Sequence, residues 1–149
     1  MLFRSAMEVL IATHDMQLDH ALIVLNQDLA GTRGCAMSIV RFDKKDQTLE
    51  CVSVGDVHSH LYNRREAHFF TSTPLILGEG KLTVQKPRIE KVPIEPGSVL
   101  VMFSDGLKSR TSLKAQMDVL RQPAITIGQH LLEHDSRPDD DALVLVARL

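Results

Sequence analysis

Acidic residues at strand ends are the residues in this sequence whose type and spacing best suit chemistry. Asp105 follows an apolar run, Val99-Leu100-Val101-Met102-Phe103, and stands in the turn Ser104-Asp105-Gly106. The run is too short for a membrane span and too β-rich for a helix, so it reads as a strand buried on both faces. Gly106 lets the backbone turn sharply behind the aspartate. A carboxylate held at the mouth of such a strand suits a metal ligand or an acid, and equally a turn former or a helix cap. Asp139-Asp140-Asp141 opens a second apolar run, Ala142 to Ala147, expected to be a buried strand. Adjacent carboxylates repel one another unless a cation compensates or water screens them. If the two runs are antiparallel neighbours, Asp105 and Asp140 reach the same end of a sheet and could share a hard divalent ion. Periodicity and spacing go no further than this geometry.

Histidines offer two further patterns. His130-Leu131-Leu132-Glu133-His134 fits H-x-x-E-H, in which histidines one helical turn apart face zinc and the glutamate serves as base. Such a site needs a third protein ligand, and only 15 residues follow His134, so a solvated helix face is the preferred reading. His58 and His60 project from one side of a strand whose other side carries Val57, Ser59 and Leu61, the alternation of a half-exposed strand. Arg33, between Gly31-Thr32 and Gly34, could bind an anion or simply complement the dipole of the preceding helix.

Elements must position these groups. Leu2, Ala6, Val9 and Leu10 fall on one helical face, and Leu18, Leu22, Leu25 and Leu29 repeat the period after a break at His14-Asp15. Asp15 is the expected N-cap of the second helix and Gly31 its closing residue. From Gly34 the period falls to two. Strands are expected at Cys35–Phe42, Leu49–Val54 and Val57–Tyr62, the last two joined as a hairpin through Gly55-Asp56. Ala67–Thr71, Leu82–Val84 and Arg88–Val92 are further short strands around an irregular loop at Ser72 to Gly80. After the Val99 strand, Thr111 or Ser112 caps a short helix with Leu113, Met117 and Leu120 inward, and Pro123 precedes another reaching about Leu132. Helices, a strand meander, helices and a closing strand indicate an α+β fold with antiparallel sheet covered by helices.

Composition sets the outer bounds. A chain of 149 residues is expected to form a single domain with a substantial core. A formal net charge of −2 gives no electrostatic reason to expect nucleic acid or an anionic membrane as partner. The 2 cysteines, Cys35 and Cys51, are too few for a disulfide framework and lack metal-ligand spacing. With neither a signal-peptide pattern at Met1 to Glu8 nor a bilayer-length apolar run, the expected location is cytoplasmic.

The ordered motifs Gly31-Thr32-Arg33-Gly34-Cys35-Ala36, Val54-Gly55-Asp56-Val57, Thr73-Pro74-Leu75-Ile76-Leu77-Gly78, Glu95-Pro96-Gly97-Ser98 through Ser104-Asp105-Gly106-Leu107, and Arg137-Pro138-Asp139-Asp140-Asp141-Ala142 resemble the PPM-type metal-dependent serine/threonine phosphatases. The resemblance is nearest to the small bacterial kind active in sporulation and stress-response partner switching, including the phosphatase that resets the stressosome. It runs from Gly31 to Leu149 and implies an αββα sandwich with two Mn2+ or Mg2+ ions at one end of the sheets. A metal-bridging water or hydroxide then attacks a phosphoserine or phosphothreonine in line, the cations generating the nucleophile and neutralising the phosphoryl oxygens. Asp105 matches the metal-binding aspartate of the family's S-D-G motif and Asp140 the first acid of its terminal pair. Asp141 and Gly106 stand behind them, and Gly55-Asp56 matches a structural turn.

Family members also begin with two strands, the first contributing an aspartate, and a D-G-x-G-H-type turn supplies further metal ligands. Here Met1 is read as already within the first helix, no D-G-x-G occurs, and Leu143 replaces a threonine common in the terminal motif. The expectation is a sandwich lacking its first strands and half its metal shell, either truncated from a longer phosphatase or a natural remnant. The implied function is dephosphorylation of a phosphorylated regulatory protein in bacterial signalling; the alternative is a non-catalytic phosphatase-like binding module. An uncovered sheet edge would favour homodimers.

Overall fold

The computed structural model describes residues 15–80 and 86–149. The helix expected at Leu2–Leu10 and the strand at Leu82–Val84 lie outside them. The first described helix, α1 (Leu18–Asp28), buries Leu18, Ala21, Leu22 and Leu25. Its N-cap is Gln17, without a side-chain cap bond, in place of Asp15. Gly31 does adopt the left-handed conformation (φ 78°), two residues beyond the C-cap Leu29.

Strands β1 (Met37–Asp43), β2 (Thr48–Val54), β5 (Ser72–Thr73) and β6 (Ile89–Pro93) make one 4-stranded sheet. β1 and β6 both run antiparallel to β2, and the short β5 runs parallel to it. Strands β3 (Val57–Tyr62), β4 (Ala67–Phe69), β7 (Val99–Ser104) and β8 (Val144–Arg148) make the other, in the order β4-β3-β7-β8 and wholly antiparallel. β2 and β3 are therefore not a hairpin. Gly55-Asp56 carries the chain from one sheet across to the other, with Gly55 at φ 75° and so close to Ala36 that a Cβ would lie 2.5 Å from the alanine methyl. A two-residue turn between alternating segments has the same sequence pattern whether the strands pair side by side or face to face.

Alternation along the strands builds three apolar layers. Val52 and Val54 of β2 meet the leucines of α1 on the outer face of the first sheet. Leu49 and Cys51 of β2 meet Leu61 and Leu100 between the sheets. Val99, Val101 and Phe103 of β7 pack outward against Leu120 of α2 (Met117–Leu120) and Ile127 and Leu131 of α3 (Ala124–Asp135). The result is an α+β sandwich in which helices cover both outer faces. Neither Thr111 nor Ser112 caps α2, whose N-cap is Gln116, and Met117 is 42% exposed while Leu113 and Leu120 are buried.

Two burial expectations are corrected. The β3 face carrying the histidines is not half-exposed: His60 is 8% exposed and packs edge-on against Phe103 and Phe69 under the helical layer. β8, expected to be buried, is an edge strand: Leu145 is 51% exposed and Leu143, just before it, 73%. Its residues at Val144 and Val146 pack beneath α3, while the alternate ones face a gap between the sheets.

Candidate functional site

β7 and β8 are antiparallel neighbours, with Phe103 opposite Val144. The register brings the end of β7 beside the start of β8, as expected from the two acidic turns. Beyond it the Ser104 amide donates to the Leu143 carbonyl at 3.1 Å, and the Leu143 amide donates to Ser104 Oγ at 3.0 Å. The Arg137 amide donates to the Gly106 carbonyl at 2.8 Å, and that of Lys108 to the Asp135 carbonyl at 2.9 Å. The turn after β7 is thus tied to the segment between α3 and β8.

Gly106 serves this junction by its size. A Cβ there would lie 2.1 Å from the Asp141 carbonyl oxygen, and the residue does not use the left-handed conformation that a sharp turn would demand. Asp105 and Asp140 are both exposed. Asp140 Oδ1 accepts from the Asp141 amide at 2.9 Å.

Asp105 lines a cleft of about 860 Å³ between the two sheets. One wall is Arg33 to Ser38, leading into β1; the other is Met102 to Asp105 with Leu143 and Leu145; Asp56 and Val57 lie at the crossover. Asp139, Asp140 and Asp141 are not on this lining. The structure therefore gathers Asp105, Asp56 and Arg33 around one cleft and leaves Asp140 off its lining. Among the described residues Arg33 has no ion-pair partner. In the cleft wall Ser38 Oγ lies 2.7 Å from Ser53 Oγ of its own sheet and 2.8 Å from Ser59 Oγ of the other.

Asp105 and Asp140 are hard oxygen donors of the kind that hold Mg2+ or Mn2+. Among the described residues, however, no group of 3 or more His, Cys, Asp or Glu side chains stands close enough to hold a metal. Those residues alone do not form a complete binding shell. His130 and His134 are engaged elsewhere: His130 Nε2 pairs with Gln116 Oε1 at 2.9 Å, and His134 Nδ1 donates to the His130 carbonyl at 2.9 Å. No described helix is long and apolar enough to cross a membrane.

Nothing in the spacing of Arg33 and Asp56 along the chain joins them to Asp105. Their shared cleft depends on the Gly55-Asp56 crossover, and the hairpin reading hid it. The one available signal was the order of the Gly31, Gly55 and Ser104 motifs.

Comparison with solved structures gives the same fold. The chain superposes on a structure described as the bacterial stressosome, a modular system adapted to control secondary messenger signaling, with TM-score 0.83 and 23% identity, covering 99% of this chain and 76% of that one. RsbX in complex with magnesium follows at TM-score 0.79 and 18% identity, covering 97% of this chain and 71% of that one. The catalytic domain of the serine/threonine protein phosphatase PstP with 2 manganese ions gives TM-score 0.70 and 18% identity, covering 99% of this chain and 80% of that one. The comparison with curated proteins returns no match. The model of the stage II sporulation protein E (SpoIIE) family matches residues 1–149, and the chain belongs to that family of PPM-type phosphatases.

Proposed function

We propose that this chain acts on phosphoserine or phosphothreonine of a regulatory protein in bacterial signalling, at the end of the sandwich where the turns bearing Asp105 and Asp140 adjoin. The observation that carries the reading is the antiparallel β7–β8 pair, which sets two acidic turns together beside a cleft whose Arg33 has no ion-pair partner among the described residues. In this reading Asp105 and Asp140 contribute carboxylates toward Mn2+ or Mg2+, the metals bound in the RsbX and PstP relatives. Further ligands must join them. Asp141 and Gly106 hold the two turns in register, and Arg33 attracts the phosphoryl oxygens. The metal, when bound, supplies a nucleophilic water and neutralises phosphoryl charge.

A second reading is a phosphatase-like module that binds a phosphoprotein without hydrolysing it; among the described residues Asp105 and Asp140 are not joined by a third metal-binding side chain. Mn2+-dependent hydrolysis of an aryl phosphate, measured on this chain and on Asp105→Asn, separates the two. The catalytic reading expects activity that falls at least a hundredfold in the variant, in line with loss of a principal charge-stabilising group. Absence of activity in a stably folded chain sinks it and leaves the binding module. Activity untouched by the substitution sinks the site assignment. Self-association through the open sheet edges belongs to the same proposal in either form.

A further inference from the structure

At the opposite end of the second sheet, where β3 finishes at Tyr62 and β7 begins at Val99, a hollow of about 370 Å³ is lined in part by Asn63, Arg64, Met117, Leu120, Arg121 and Arg148. At roughly 3.3 Å per residue, the strand from Val99 to Asp105 puts it about 20 Å from the cleft. Arg148 is built into the wall: its Nη2 donates to the carbonyls of Leu120 at 2.8 Å and Gln122 at 2.6 Å. Neutral acceptors hold the guanidinium in place and leave its charge uncompensated. Among the described residues no ion pair involves Arg64, Arg65 or Arg148, and Arg121 meets only the solvated Asp118, at 3.8 Å. Glu95 lines the adjoining depression with Arg64 and Arg65, and its Oε2 accepts from the Arg64 backbone amide at 3.3 Å.

This concentration of arginine occurs on a chain of net charge −2, so it is not the overflow of a basic composition. Guanidinium groups match carboxylate and phosphoryl oxygens with paired hydrogen bonds, and Met117 and Leu120 add an apolar surface beside them. A free inorganic ion would use only the first feature. We propose that the hollow docks an acidic peptide segment of a protein partner. Its carboxylate or phosphoryl group engages Arg64, Arg121 and Arg148, and a flanking apolar side chain rests on Met117 and Leu120.

Fluorescence anisotropy on the full chain in EDTA tests this with three labelled peptides. One alternates glutamate and leucine, one replaces a glutamate by phosphoserine, and one has glutamine throughout in place of glutamate. The two acidic peptides should bind saturably and the glutamine peptide should not. Arg64→Gln combined with Arg121→Gln, both at exposed positions, should weaken the acidic peptides about tenfold or more, the scale of a lost charge-assisted hydrogen bond. Arg33→Gln should leave the glutamate peptide's affinity unchanged. Amide shifts at Gly97 and Met117 on titration would place the peptide independently of any variant. Failure of both acidic peptides to bind overturns the proposal, as does equal binding of the glutamine peptide or dependence on Arg33 alone. The readout needs neither metal nor hydrolysis, so its failure is distinguishable from failure of the phosphatase reading.

Discussion

Gly106 and His60 show how much a single side chain decides here. Gly106 was expected to supply a turn; its indispensable property is the absence of a Cβ, because the Asp141 carbonyl fills that space. Backbone cannot step aside as a flexible side chain can, so Gly106→Ala should cost about 3 kcal/mol, at the upper end of overpacking effects. Urea denaturation checks it, and a loss under about 0.5 kcal/mol, the range of ordinary surface substitutions, would refute the junction. His60 gives a pH dependence. The Leu113 amide donates to Tyr62 Oη at 3.0 Å, and the same oxygen lies 3.1 Å from His60 Nδ1, within hydrogen-bond distance. Burial, with a smaller contribution from His58, lowers the His60 pKa from 6.5 to about 4. The unfolded chain therefore binds a proton that the folded chain refuses between these values. Stability is undiminished above pH 6.5 and falls as pH drops toward 4, by about 3 kcal/mol in full. His60→Gln keeps a hydrogen-bonding side chain beside Tyr62 but cannot titrate, so its unfolding free energy should lose that slope between pH 6.5 and 4. Parallel slopes for both proteins would remove His60 as the cause.

Elements were more legible than their partners. The period-two pattern from Gly34 onward located β1, β2, β3 and β6 to within a residue or two, because alternation is written into such strands, and the unbroken apolar run located β7. It could not tell which sheet a strand enters, and so the β2–β3 crossover was read as a hairpin. Side-chain ties between the sheets were equally invisible, since they join residues distant in sequence. One such tie closes the sandwich along β4 and β6. Glu90 of β6 accepts from the Thr71 amide at 2.7 Å, and its Oε2 lies 3.1 Å from His68 Nε2 of β4. Burial opposes the Glu90 charge, but the Thr71 amide and His68 outweigh it and hold its pKa below the ordinary value. Its contribution is therefore complete above the unfolded value of 4.5 and is lost as pH falls through the lower folded one. Glu90→Ala should destabilise by about 1.5 kcal/mol at neutral pH, the scale of hydrogen bonds to a charged group. A double-mutant cycle with His68→Ala should return a coupling of roughly 0.5 kcal/mol or more. Strict additivity would mean that the two sheets are not tied at this point.

For the molecule as a whole, that closed side stands opposite an open one. β1 and β8 are the outer strands of their sheets, and among the described residues neither has a second partner strand. Between them the inter-sheet layer is open along Val40, Phe42, Leu100, Met102 and Leu145. This gap adjoins the cleft that holds Asp105, sharing Ser38, Met102 and Leu145 with it. The family resemblance implies an uncovered sheet edge. It did not foretell that both sheets open on the same side, because that follows from which way the Gly55-Asp56 crossover turns. Unpaired strand edges with apolar side chains between them are templates for another chain. Self-association through β1 and β8 is the expected consequence, and it should depend on protein concentration. Leu145→Lys puts a charge at the mouth of the gap, at a residue 51% exposed, so folding should be little changed while association weakens. Sedimentation velocity across a concentration series checks both proteins: the wild type should shift toward dimer with concentration and the variant should stay monomeric. A wild type that sediments as monomer throughout would mean that the edges are protected in solution. Association undiminished by Leu145→Lys would place the contact elsewhere, with the arginine-lined end as the next surface to test.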